Sequence, residues 1–132
     1  MTQLDANHYV DLIGKRFREG ARGPAEYDCW GLLQCVLRRM GHNPTDFPSD
    51  PALLLQAISD EWQPLDREPI EPGDGILLRS SDPRYLWHVG VVVSPGRYLH
   101  VRQSVGACVE RFDLPATRRR IVGFYRYRGL PA

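Results

Sequence analysis

The sequence predicts an α+β fold, in which N-terminal helices pack on a C-terminal antiparallel sheet of about five strands. In the first half of the chain the apolar residues recur with the 3.6-residue period of a helix, and from residue 75 onward they fall into short runs separated by turn residues. Helices followed by strands are typical of this class. With 132 residues, the chain is long enough for one core, so we expect a single domain over residues 1–132.

The N-terminal region predicts one helix and a loop. Residues 5–14 have an amphipathic pattern, with Thr2 or Asp5 as the N-cap, and the apolar side is formed by Tyr9, Leu12, Ile13 and Phe17. The segment 18–26 contains two glycines and a proline without an apolar period. It is therefore predicted to be a loop.

A central helix is predicted from Cys29 to Met40. Asp28 is a suitable N-cap, and Gly41 can adopt the left-handed conformation that ends a helix. One apolar stripe is formed by Cys29, Leu32, Leu33, Val36, Leu37 and Met40. The pattern assigns Gln34, Arg38 and Arg39 to the opposite side.

A third helix and five strands complete the predicted elements. Asp50 is the N-cap and Pro51 the first residue of the helix, Pro64 ends it, and its apolar side is Leu54, Leu55, Ile58 and Trp62. The predicted strands are residues 75–79, 87–93, 97–103, 107–112 and 121–127.

Cys29 occupies a chemically favourable position at the start of the central helix. The positive end of the helix dipole and the free N–H groups favour a thiolate there, and the same N–H groups can stabilise an oxyanion. The alternative is that Cys29 is a small buried hydrophobic residue, which is the usual role of a free cysteine. A catalytic role requires a base elsewhere in the chain.

Two histidines are predicted to supply that base and its partner. If Ser94, Pro95 and Gly96 form a three-residue hairpin loop, His88 and His100 lie on one face of the sheet as diagonal neighbours. Gly90 then lies opposite His100 and leaves empty space there, where another element could approach. A two-residue loop would shift the register and place the two histidines on opposite faces. A cysteine, a base and a group that orients the base form a catalytic triad.

Composition limits the other possibilities. The longest apolar runs are too short to cross a membrane, and the N-terminus has no secretory signal, so we expect synthesis in the cytoplasm. Three cysteines are too few for a disulfide framework, and we expect all three to be reduced, with Cys35 and Cys108 in the core.

Charge divides the chain unevenly. The net charge is −5 over residues 1–96 and +6 over residues 97–132. We interpret the basic third as a solvated arginine-rich surface, and no spacing typical of a DNA-binding module is present. No nucleic-acid partner is expected.

Four motifs together resemble the NlpC-type cysteine peptidases, which are small papain-like hydrolases of bacterial cell-wall peptides. The motifs are Tyr27-Asp28-Cys29-Trp30-Gly31-Leu32, Pro72-Gly73-Asp74, His88-Val89-Gly90-Val91 and Tyr98-Leu99-His100-Val101. The Asp-Cys-Trp-Gly variant is similar to the phage tail-assembly branch of this family. The resemblance implies delivery to the cell wall as part of a phage tail or tail-like particle, with other tail proteins as partners.

The resemblance also implies roles for individual residues. By position, Cys29 matches the nucleophile, His88 the general base and His100 the residue that orients the base. Asp28 matches the aspartate that holds the free amine of the substrate peptide, and Tyr27 the residue that lines the groove or assists the oxyanion. Trp30 replaces the family's usual serine and so bears on peptide specificity. The implied substrate is a D-glutamyl–diamino acid amide in a peptidoglycan stem peptide, and no metal or cofactor is expected.

Three alternatives remain at this stage. The domain can instead be a non-catalytic structural or assembly component of a phage tail tip. Cys29, His88 and His100 are also a permitted set of zinc ligands, although the paired spacing of zinc modules is missing. The same thiol chemistry would equally serve an amidase, a transglutaminase-like enzyme or an acyltransferase.

Overall fold

A six-stranded antiparallel sheet and one long helix form the framework of the protein. The structure is a computed structural model that describes residues 3–46, 56 and 58–129. The helix, α1, is Cys29–Arg39. The strands in chain order are β1 (Arg16–Phe17), β2 (Glu26–Tyr27), β3 (Trp62–Pro64), β4 (Gly75–Arg79), β5 (Trp87–Ser94), β6 (Arg97–Arg102), β7 (Gly106–Arg111) and β8 (Ile121–Tyr127). The large sheet has the order β3-β8-β4-β5-β6-β7, and the α+β prediction is confirmed.

The helix predicted over residues 5–14 is wrong in type. The segment forms two 3₁₀ turns, Ala6–His8 and Val10–Leu12. They do not merge because Tyr9 between them has φ −145° and ψ −14°, outside the helical region. Asp5 does cap the first turn, since its carboxylate accepts a hydrogen bond from the N–H of Asn7 at 2.8 Å.

The N-terminal segment continues along the outer edge of the large sheet. Gly14 N–H donates to the carbonyl of Ala107, and Ala107 N–H donates to the carbonyl of Lys15, both at 2.8 Å. After this contact the chain forms β1, which pairs in parallel with β2. The sequence did not predict this small two-stranded sheet, because each strand has only two residues.

The prediction for α1 is confirmed. Asp28 is the N-cap, and its Oδ1 accepts a hydrogen bond from Gly31 N–H at 2.7 Å. The helix ends at Arg39, followed by Met40 as C-cap and Gly41 with φ +93°. Its apolar side packs on β5 and β6 and forms the main core with the sheet.

Gln34 departs from the predicted polar side of α1. Its side chain is only 1% exposed, and its Nε2 donates to Asp46 Oδ1 at 2.8 Å. Arg22 Nε donates to the same oxygen at 2.9 Å. The segment that follows α1 therefore covers this side of the helix, which the helical period alone does not indicate.

The third predicted helix lies mostly outside the described residues, including Asp50, Pro51, Leu54 and Leu55. Residues 56 and 58–61 are helical. Trp62, which was predicted to belong to the helix, instead begins β3 and pairs with Tyr127 of β8. Its buried ring packs against the rings of Trp30 and Tyr127, so tertiary packing outweighs the helical pattern there.

All five predicted strands are present as β4 to β8, with ends that differ by at most one residue. The sheet gains a sixth strand, β3, and a short helix, Pro115–Arg118, precedes β8. Within the described ranges, no helix has the length and apolar character needed to cross a membrane.

The register between β5 and β6 is as predicted, although the turn is not. The turn contains two residues, Pro95 and Gly96, and Ser94 pairs with Arg97. A bulge between Val92 and Ser94 adds one residue to β5 and restores the pairing of Val92 with Tyr98. Continued along the strands, this register places Gly90 opposite His100.

Gly90 does not leave the empty space that the sequence suggested. A Cβ atom at this position would lie 2.7 Å from Tyr98 Cδ2 and 2.8 Å from the Leu99 carbonyl oxygen. It would also lie 3.3 Å from His100 Cβ. The missing side chain thus allows β6 and the histidine to approach β5 closely.

We predict that Gly90→Ala destabilises the protein by about 1–3 kcal/mol, because the methyl group would press on β6 backbone that cannot move freely. Urea denaturation measures the effect. Gly123→Ala is the matched control, since a Cβ atom there meets nothing closer than 3.4 Å. Equal midpoints for the two variants would contradict the close-contact interpretation.

Candidate active site

A cavity of about 710 Å³ lies where the start of α1 meets β5, β6 and the loop before β5. Cys29, His88 and His100 all line it, together with Asp28 and Trp30. The structure therefore brings five of the six predicted site residues to one cavity. Tyr27 is not among the residues that line it.

Cys29 lies in the first turn of α1 with its thiol enclosed by backbone. Burial raises the pKa of Cys29 to about 11, and the charge of Asp28 adds to this, against the N–H groups of Val89, Trp30 and Cys29 itself, which lower it. The N–H groups at the helix start act to favour a thiolate, as expected, but they do not determine the state of the thiol. The cost of burying the charge outweighs the dipole.

His88 and His100 are joined directly. His88 Nε2 lies 2.8 Å from His100 Nδ1, and His100 Nε2 lies 2.9 Å from Glu110 Oε1. The ring of Tyr98 stacks on His100 with centroids 4.3 Å apart and planes 27° apart. A chain of hydrogen bonds thus leads from His88 in the cavity wall to a carboxylate on β7, with one ring held in plane by stacking.

Both histidines are held in the neutral form. Burial lowers the pKa of His88 to about 3, and His100 and Arg120 add smaller repulsions. Burial also lowers the pKa of His100, although the hydrogen bond to Glu110 opposes this. A neutral imidazole has one nitrogen lone pair, so a neutral His88 is able to accept a proton.

Asp28 has a structural role at the start of α1. Besides capping Gly31, it accepts hydrogen bonds from Gly20 N–H at 3.1 Å and from Arg22 Nη1 at 2.7 Å. These contacts hold the loop before α1 against the helix and so fix the position of Cys29. Asp28 also lines the cavity, and its role toward a substrate amine stays a prediction.

Tyr27 and Trp30 occupy different environments. Tyr27 is 3% exposed and packs in the core, with its hydroxyl 3.5 Å from Cys35 Sγ, so the structure gives no support to the expectation that it lines the groove. Trp30 lines the cavity as well as packing on Trp62. Trp30 therefore contributes to the cavity beside Cys29, while its indole packs in the core.

Glu110 and the loop before β5 were missed by the sequence analysis. Glu110 pairs with Tyr98, and Cys108 pairs with His100, so alternation on β7 places both on the histidine side of the sheet. The β6–β7 register was the signal that could have identified them. The loop, residues 80–86, lines the cavity, and its Arg84 donates to Gln103 Oε1 at 2.6 Å.

The polar groups of His100, Cys108 and Glu110 converge within 4.8 Å. Among the described residues, this is the set that could hold a metal ion, in place of the predicted alternative of Cys29, His88 and His100. Arg102 Nη1 lies 3.3 Å from Glu110 Oε1 and already supplies a positive charge there. Cys108, expected in the core, lies 3.4 Å from Glu110 Oε1 and belongs to this hydrogen-bond network. All three cysteines are free thiols, as predicted.

Comparison with known families identifies the architecture. The model of the NlpC/P60 family matches residues 14–126. No curated protein is detectably similar in sequence.

Solved structures share the fold. An NLP/P60-family protein from Staphylococcus aureus, described as similar to a lipoprotein, superposes with a TM-score of 0.73 at 20% identity, covering 96% of this chain and 43% of its own. NlpC1 from Trichomonas vaginalis gives 0.68 at 26% identity, with 96% and 43% covered. The NlpC/p60 domain of the peptidoglycan hydrolase SagA gives 0.58 at 19% identity, with 92% and 93% covered. The chain thus spans less than half of the first two proteins and nearly all of the SagA domain.

The burial of neutral His88 predicts a pH-dependent stability. Below pH 6.5 the unfolded chain binds a proton at His88 that the folded protein does not bind until about pH 3. The free energy of unfolding should therefore fall as pH decreases through this window, with a slope of up to about 1.4 kcal/mol per pH unit for this proton. Urea denaturation at several pH values between 7.5 and 5, compared with His88→Gln, measures it. The variant should show a shallower decline; identical slopes would contradict the prediction.

Proposed function

This chain belongs to the NlpC/P60 family of cysteine peptidases and peptidoglycan hydrolases, and we propose that it hydrolyses amide bonds in peptidoglycan stem peptides. In this proposal Cys29 is the nucleophile, His88 the general base and His100 the residue that orients His88. The observation that carries it is the 2.8 Å contact between His88 and His100 in the wall of the cavity that Cys29 also lines.

The reaction proposed is acyl transfer through a thioester. His88 takes the proton of the Cys29 thiol as the sulfur attacks the amide carbon, and the proton passes to the departing amine when the C–N bond breaks. Water, deprotonated by His88, then attacks the thioester carbon; the C–S bond breaks, the acid product leaves, and His88 returns the proton to the Cys29 sulfur. Because the resting thiol and imidazole are both neutral, the proton moves during attack rather than before it.

Two backbone N–H groups are suited to stabilise the oxyanion. Gly31 N–H is already bonded to Asp28, whereas the N–H groups of Cys29 and Trp30 lower the pKa of the Cys29 thiol and so act on its sulfur. An oxygen that develops next to that sulfur would lie at the positive end of α1. Asp28 therefore supports the reaction by fixing the helix start.

The substrate class follows from the family resemblance. We propose a D-glutamyl–diamino acid amide, with the free amine of the stem peptide drawn toward Asp28. The cavity wall carries Trp30 at the position of the usual serine, so we expect the peptide preference to differ from that of family members with a small polar residue there.

We predict that the wild-type protein releases new peptide fragments from purified peptidoglycan and that Cys29→Ala releases none, because the nucleophile is lost. Mass spectrometry of the products identifies the bond. Cys35→Ser is the matched control, since it removes a thiol that does not line the cavity, and it should retain activity.

The outcomes separate the alternatives. Fragments that also appear with Cys29→Ala would indicate a contaminating hydrolase and remove the support for Cys29. No fragments from any variant, across several wall chemotypes in reducing buffer, would favour the non-catalytic tail component instead.

We also propose that the protein acts at the cell wall as part of a phage tail or tail-like particle. The support is the Asp28-Cys29-Trp30-Gly31 motif, which is similar to the tail-assembly branch of the family. We predict that the chain copurifies with tail particles induced from cells that carry its gene and is detected there by mass spectrometry. Its presence only in the soluble fraction would contradict this assignment.

A further inference from the structure

We propose that Glu110 is a positioning residue that fixes the proton on both histidines and thereby leaves His88 Nδ1 as the base nitrogen. This inference rests on the proposed function of Cys29 and His88. It is carried by the continuous contacts from His88 through His100 to Glu110, 2.8 and 2.9 Å long.

Glu110 is held as a carboxylate. Burial acts to raise its pKa, but the hydrogen bond and charge of His100, the Cys108 thiol and Arg102 together lower it. Arg102 Nη1 lies 3.3 Å from its Oε1, and Cys108 donates to the same oxygen at 3.4 Å. An ionised carboxylate accepts hydrogen bonds and cannot donate them.

The direction of every hydrogen bond in the chain follows from that charge. Because Glu110 only accepts, His100 Nε2 must carry the proton. A neutral His100 then has its lone pair on Nδ1, so His88 Nε2 must donate to it. A neutral His88 consequently has its lone pair on Nδ1, the ring nitrogen that is not bound to His100.

Without Glu110 the two histidines could adopt either of two tautomer arrangements. Their hydrogen bond can equally form with His100 Nδ1 as donor and His88 Nε2 as acceptor, which would place a proton on His88 Nδ1. In that arrangement His88 Nδ1 carries a proton and the lone pair on Nε2 is bonded to His100, so His88 cannot take a proton from a thiol. Glu110 removes this unproductive tautomer, and the stacked ring of Tyr98 keeps His100 in the plane that both contacts require.

The Glu110 carboxylate also stabilises the positive charge that forms on His88 during the reaction. When His88 becomes an imidazolium, its Nε2 proton remains shared with His100, and the negative charge of Glu110 lies at the far end of the chain. Arg102 and Arg120, the cations that act on these rings, oppose that charge on His88 or His100. Glu110 offsets them.

The test is the histidine tautomer state, read by two-bond ¹H–¹⁵N correlation spectra of ¹⁵N-histidine-labelled protein at neutral pH. His88→Gln and His100→Gln spectra assign the signals. In the wild type, both histidines should be protonated at Nε2. In Glu110→Gln, whose amide can donate as well as accept, we expect mixed tautomers at both rings and a kcat lower by about tenfold or more, with KM little changed.

Asp113→Asn is the matched control. It removes a carboxylate just beyond β7 that pairs with Arg111 instead of the histidines, so the tautomers and kcat should stay as in the wild type.

The outcomes are distinct from those of the proposed function. Unchanged tautomers and kcat in Glu110→Gln, or a wild-type His100 protonated at Nδ1, would overturn the role of Glu110 even if the enzyme cleaves peptidoglycan. If the variant does not fold, a wild-type His100 protonated at Nδ1 still overturns the proposal. If Glu110→Gln shows mixed tautomers but the wild-type protein cleaves no peptidoglycan, the role of Glu110 in the hydrogen-bond chain is supported. Only the peptidase proposal is then contradicted.

Discussion

The pairing of β5 with β6 is the constraint on which the cavity depends. His88 and His100 come from different strands, and their rings meet because both project from the same side of the sheet. A shift of one residue would turn one of them to the opposite face. The bulge beside Ser94 prevents that shift, and the absence of a side chain at Gly90 brings the second strand close enough for the rings to touch. Backbone geometry thus brings the two rings together, and their hydrogen bond completes the contact.

Burial determines the chemical state of the groups that meet there. Cys29 and His88 are both neutral, because burial disfavours either charge alone. Two carboxylates of the cavity lining, Asp28 and Glu110, each lie beside an arginine and accept several hydrogen bonds. These two carboxylates are therefore held in place before any charge develops on Cys29 or His88.

The sequence predicted the elements with strong local signals and missed those that depend on tertiary contacts. Asp28, the apolar stripe and Gly41 define α1 almost to the residue, and alternating patterns locate β4 to β8. Trp62 was assigned to a helix because its partners Trp30 and Tyr127 are remote in sequence. The site divides in the same way. The sequence pattern is enough to predict Cys29, His88 and His100 as site residues. Glu110 can be predicted only once the β6–β7 register is known, and the burial of Tyr27 only once the packing of the core is known.

The N-terminal segment has a consequence beyond its own turns. A strand at the end of a sheet presents unpaired N–H and C=O groups, which act as a template for another chain. Here Gly14 and Lys15 bond to both backbone groups of Ala107, so part of the outward edge of β7 is occupied by the protein itself. Shortening the chain past Lys15 would uncover this edge beside Cys108. A second chain that paired with this edge would lie next to β7, one strand away from His100. The same few N-terminal residues therefore protect both the solubility of the protein and the geometry of the site.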